Sequence, residues 1–149
     1  MSRSSGRLAF QGIVAVAMVC ASVTVASAAK LGLEVHITGI DSLEGEIVIA
    51  VFNTEDSFDD RSDPVAIAYL PVDAETLSWS TELAVPSAYA IAVYHDVNSN
   101  RELDMRRLGG PKEPYGFSNN VRGVFGPPGF ENALIRIGSE SLSLEIEVR

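Results

Sequence analysis

A chain of 149 residues, 46% hydrophobic and 21% charged, is the right size for one globular domain and too apolar for a disordered one. Its formal charge of −9 excludes a general nucleic-acid binder, because phosphate binding runs on clustered Lys and Arg. The only basic cluster, Arg101, Arg106 and Arg107, is interleaved with Glu102 and Asp104.

Residues 1–28 read as an export signal. Arg3 and Arg7 precede an apolar run from Ile13 to Val25, and Ala26-Ser27-Ala28 supplies the small residues of a cleavage site before Ala29. A transmembrane anchor needs about 18 to 20 apolar residues. This run is shorter, and Ser22 and Thr24 dilute its end. Cys20 follows Val19, where lipid attachment requires a smaller residue, so no lipid anchor is expected. Cleavage would leave residues 29–149 as one domain, periplasmic or secreted, without cysteine and with no membrane anchor. Loss of Arg3 and Arg7 leaves nine basic against 20 acidic residues, a charge of −11 that favours solubility.

From Leu31 to Ile37 apolar residues alternate with polar ones, the period of a half-buried strand. A turn mixture follows, then Glu46 to Phe52 (EIVIAVF), apolar on both faces and so expected at the centre of a sheet. Asn53 to Pro64 is acidic and reads as a loop. Val65 to Leu70 is a third strand, and Leu77 to Leu83 a fourth whose Trp79 is expected in the core. After a turn at Pro86-Ser87, Ala88 to His95 (AYAIAVYH) is a fifth strand, apolar on both faces. Asn132 to Ile137 and Leu142 to Val148 complete about seven strands with no long helix. This pattern predicts an all-β fold, an antiparallel Ig-like or transthyretin-like β-sandwich, with a small barrel as the alternative.

The long segment from Val97 to Glu131 lacks periodicity, yet its Leu, Tyr, Phe and Val residues give it anchors for packing. It opens with His95-Asp96-Val97-Asn98-Ser99-Asn100-Arg101-Glu102-Leu103-Asp104. Asp96, Asn98, Asn100 and Asp104, with the backbone carbonyl of Glu102, match the oxygen donors of an EF-hand calcium loop. The position that needs glycine is Arg101, and the one that needs a bidentate Glu is Arg107. Calcium is therefore the candidate ion and no other cofactor is indicated. The alternative is a turn in which Asn and Asp bond their own backbone. Further on, Tyr115, Phe117, Ser118, Asn119, Asn120, Arg122, Phe125 and Phe130 lie among glycines and prolines, either as a recognition platform or as a cap on the sandwich.

No nucleophile and base stand out. His36 sits on a polar strand face, and His95 is expected to be structural, packing or hydrogen-bonding to the long loop. Adjacent strand residues point to opposite faces, so His95 and Asp96 would share a site only if the chain bends there.

The text HDVNSNRELD, then Pro114-Tyr115-Gly116-Phe117-Ser118-Asn119-Asn120, then Gly126-Pro127-Pro128-Gly129-Phe130, resembles the bacterial domain-of-unknown-function family numbered 2141. The resemblance spans nearly all of residues 29–149. It implies an exported β-sandwich whose activity is unassigned. Members commonly carry glycine where this chain has Arg101, a departure that counts against calcium. The segment Leu83 to Val93 also resembles, at the level of fold only, transthyretin-like and carboxypeptidase-regulatory-like sandwiches.

The expectation is a non-enzymatic binding or accessory module, its partner an envelope protein or a small ligand and not a nucleic acid. Alternatives are a metal-assisted hydrolase around His95, Asp96 and Glu113, or a purely structural envelope domain.

Overall fold

A computed structural model describes residues 28–85 and 87–149. The expected export signal, up to residue 27, and Pro86 of the expected turn lie outside the described residues.

The strands are β1 (Ala29–Thr38), β2 (Glu46–Phe52), β3 (Ala66–Pro71), β4 (Leu77–Val85), β5 (Ser87–Asp96), β6 (Tyr115–Phe117), β7 (Leu134–Ile137) and β8 (Leu142–Glu147). Two short helices, α1 (Glu55–Asp59) and α2 (Phe130–Ala133), interrupt them. The smaller sheet has the order β4-β1-β8 and the larger β3-β2-β5. Two strands share the free edge of β5, β7 along Ser87 to Ala90 and β6 along Ala92 to Tyr94. The fold is an all-β sandwich.

Between the sheets lies a core of β-branched residues. Val35 and Ile37 of β1, Ile47, Ile49 and Val51 of β2, Ile91 of β5 and Ile146 of β8 have no exposed surface. Each fully buried side chain of this kind stabilises the fold by about 1.5–3 kcal/mol relative to exposure. Trp79 is half-buried at the margin of this cluster.

Three details refine the expected sandwich. The sandwich is not wholly antiparallel, because β8 runs parallel to β1 from Leu33↔Leu142 to Thr38↔Glu147. It has eight strands rather than about seven, because Tyr-Gly-Phe in the long segment pairs with β5. That pairing needs glycine in the middle, since a Cβ on Gly116 would collide with the Glu147 carbonyl and Ile146. Finally, the acidic loop contains α1, which starts where the Thr54 side chain accepts the Ser57 N–H, with Glu55 and Asp56 favourably placed in its first turn.

Candidate functional site

At the end of β5 the chain folds into a loop held by its own carboxylates. Asp96, fully buried, accepts the Asn100 N–H (3.2 Å) through one oxygen and the Arg101 N–H through the other. The Asn98 side-chain oxygen accepts the same Asn100 N–H at 3.0 Å, and that of Asn100 accepts the Glu102 N–H at 2.8 Å. Asn98 Nδ2 donates to Asp104 Oδ2 (3.1 Å). Glu113, 8% exposed, fastens the far side, one oxygen accepting the Val97 N–H (3.2 Å) and the other the Asp104 N–H (3.1 Å). Five backbone N–H groups thus find carboxylate or amide acceptors, the arrangement that makes Asx-rich turns self-sufficient. Among the described residues no three His, Cys, Asp or Glu side chains group as metal ligands.

Arg101 is the hinge of this loop. Its φ is 63°, in the left-handed region that side chains other than Gly and Asn enter at a cost of roughly 1–2 kcal/mol. The bond from its N–H to buried Asp96 offsets that cost. The turn also throws the guanidinium across the sheet, where Nε lies 3.2 Å from Glu46 Oε1 and the group stacks 4.5 Å over the Tyr69 ring.

The Tyr-Gly-Phe-Ser-Asn-Asn stretch ties strands together. Ser118 is fully buried, its hydroxyl accepting the Ile91 N–H (2.9 Å) and donating to the Ala133 carbonyl. Asn119 donates to the carbonyls of Asn132 and Leu134, and Asn120 exchanges bonds with β8 through Glu147 N–H and the Glu145 carbonyl. Arg122 donates to the Tyr115 carbonyl and lies 5.4 Å over its ring. Phe130 joins Phe52 and Phe58 in a second buried cluster, whereas Phe125 is fully exposed. The eight residues named in the sequence for this loop are therefore divided: five serve as ties or packing, Tyr115 and Phe117 also line the groove described next, and Phe125 stands in solvent.

The outer face of the larger sheet, away from the smaller one, carries a groove of about 750 Å³. Its floor is Val48, Ala50 and Ala92, and Ala50 and Ala92 are directly paired across β2 and β5. Tyr69 and Tyr94 flank Val48 on either side in the ladders, so one end of the groove is phenolic. The other end closes on Phe52, Phe58 and Phe117. The latched loop, through Leu103 and Met105, and the turn at residues 126–129 border it from above.

A sequence profile described as "uncharacterized protein conserved in bacteria", DUF2141, matches residues 35–145. The chain belongs to this family. No curated protein and no solved structure matches it.

In this DUF2141 domain the profile covers the latched loop, the groove and the Tyr-Gly-Phe-Ser-Asn-Asn stretch. Burial holds the Tyr94 hydroxyl neutral, its pKa pushed up to about 12, with Asp96 adding repulsion against the phenolate. Tyr94 thus offers a donor to the groove at any ordinary pH. His95 faces the other way, into the sandwich, with Nε2 2.7 Å from the Glu44 carbonyl oxygen and its backbone N–H on the Pro114 carbonyl. Alternation along β5 therefore separates His95 from Asp96, and Glu113 is committed to the loop backbone. Sequence reading missed the groove because alanines within an apolar run signal a buried strand as readily as a cavity floor.

Proposed function

We propose that this DUF2141 domain is an exported, non-enzymatic binding module that holds a small ligand in the groove on its larger sheet. The observation that carries the reading is the groove itself. Its volume falls within the range of small-molecule sites, about 300–1,000 Å³, and it combines an apolar floor with a few polar groups, the Tyr69 and Tyr94 hydroxyls and the Arg101 guanidinium, at one end. A ligand with a flat or aliphatic body and one hydrogen-bonding end suits that distribution. The absence of catalysis is supported by the commitments of His95, Asp96 and Glu113 to backbone partners. Export is supported by the charged, then apolar, then small-residue order of residues 1–28.

The Asp/Asn loop enters this reading as an ion-free latch that positions Arg101. This reading is supported by Arg107 standing where a bidentate Glu would be needed and by loop N–H groups already satisfied by Asp96, Asn98 and Asn100.

Anilinonaphthalene sulfonate, an aromatic body with an anionic end, tests the groove. A saturable rise in fluorescence, lost in Ala92→Leu at unchanged melting temperature, is the expected result. No rise, or an equal rise in Ala92→Leu, would remove the groove as a ligand site.

A further inference from the structure

Two turns bordering the groove carry apolar residues to their tips. In the first, Met105 bridges Pro111, the Arg106 N–H binds the Gly110 carbonyl (2.8 Å) and the Gly109 N–H the Arg106 carbonyl (3.0 Å), making a small hairpin with Leu108 near its apex. Leu108 is 101% exposed. In the second, Gly123 packs so closely on the Gly126 carbonyl that no Cβ would fit, which forces a tight turn displaying Val124, 86% exposed, and Phe125, 103% exposed. These residues are held out by ordered backbone bonds and close packing.

Charge follows the same division. Residues 105–112 and 121–130 contain Arg106, Arg107, Lys112 and Arg122 and no acidic residue, whereas the rest of the chain after Ala28 carries five basic and all 20 acidic residues. Arg106, Arg107 and Lys112 are exposed and take no part in the ion pairs of the described residues. Across the groove the stretch around α1 is acidic, with Asp59 on its border. Screening confines each charge to about 8 Å at physiological salt, so at the tips the local sign outweighs the acidic total.

From this pairing of protruding apolar residues with a basic collar we propose that the two turns dock the domain on a membrane surface rich in anionic phospholipid. Leu108, Val124 and Phe125 enter the boundary between headgroups and acyl chains while Arg106, Arg107 and Lys112 meet phosphate and anionic headgroups, the division of labour of interfacial binding. The contact is peripheral and requires no spanning segment; no helix among the described residues is long and apolar enough to cross a membrane. It is independent of the groove's occupancy.

The test is sedimentation of residues 29–149, which hold every strand and helix described, with vesicles of phosphatidylcholine, alone or mixed equally with phosphatidylglycerol. Partition at least about tenfold stronger onto the mixed vesicles is expected, given three exposed cations. It should fall by about tenfold or more in Leu108→Asp/Phe125→Asp, and separately in Arg106→Gln/Arg107→Gln/Lys112→Gln, with melting temperatures unchanged because all five side chains are exposed. Equal partition onto both vesicles, none onto either, or full retention by both variants would overturn the proposal. So would self-association of the wild type, abolished by Leu108→Asp, without vesicle binding, since the turns would then pair two copies of the chain.

Discussion

On β2 and β5 the side chains directed at the smaller sheet, Ile47, Ile49, Val51, Ile91 and Val93, are at most 1% exposed, whereas the alternate positions hold Val48, Ala50, Ala92 and Tyr94. The two faces share a backbone and a hydrogen-bond ladder, yet one is filled with large β-branched residues and the other has the facing pair Ala50 and Ala92 at its middle. The first meets the requirement of a core, close packing without voids. The second stays open because its neighbours, α1, the latched loop and the two turns, arch over alanines without filling them. What differs is the volume missing at Ala50 and Ala92, which turns one sheet into both wall and receptacle.

The largest effect that would sharpen this contrast is expected from Ile49→Ala. It leaves a cavity between the sheets and should cost about 2–5 kcal/mol in urea unfolding, whereas Ala92→Leu, directed into the groove, should cost less than about 1 kcal/mol. Comparable losses from both would mean that the outer face is packed as tightly as the inner one. Next comes Asp96→Ala, which orphans the Arg101 N–H and removes one of two acceptors of the Asn100 N–H at a buried site. A loss of about 2–3 kcal/mol is expected, with faster amide exchange across residues 97–104. An unchanged exchange pattern would show that the loop is held by something other than its carboxylates.

Alkaline titration probes the phenolic end of the groove. The folded pKa of Tyr94 lies above its ordinary value of 10.0, at about 12, so the neutral hydroxyl belongs to the folded state. Stability tied to this group is complete below pH 10 and is lost as the pH climbs toward 12. Tyr94→Phe should flatten that decline, and an identical decline in the variant would assign it elsewhere. The smallest change is expected from calcium: a melt in chelator and one in calcium up to about 10 mM, above the range of weak extracellular sites, should coincide. A saturable rise abolished by Asp96→Ala would restore Asp96, Asn98, Asn100, Glu102 and Asp104 as ligands.

β1, β4 and β8 were legible within two residues because alternation records which face is buried, and β2 and β5 because continuous apolar runs record burial on both faces. β6 was not, since three residues carry no period and Tyr115 to Phe117 is a strand only by pairing with a distant β5. The parallel pairing of β8 was hidden for the same reason, as its pattern reads alike in either direction. α1 was within reach, because Thr54 followed by Glu55, Asp56 and Ser57 is a helix-start signal, overlooked under the acidity of the segment. At the site, Asn and Asp bonding to nearby backbone was legible, the hold of Glu113 on Val97 and Asp104 was not, and the groove was invisible because it depends on which residues fall opposite one another. Nothing in the text of the chain announces that Ala50 meets Ala92.

The ladder joining β1 to β8 has a kinetic consequence. Leu33 pairs with Leu142, so the middle strand of the smaller sheet waits for a partner far later in the chain. Loop-closure entropy must be met across almost the whole chain before this pairing stabilises anything, which places the domain among slow, topology-limited folders of the millisecond-to-second class. Until β8 arrives, one edge of β1 stays unpaired and the core lacks Ile146 and Val148. A chain built in this order is kept from early closure by its own topology.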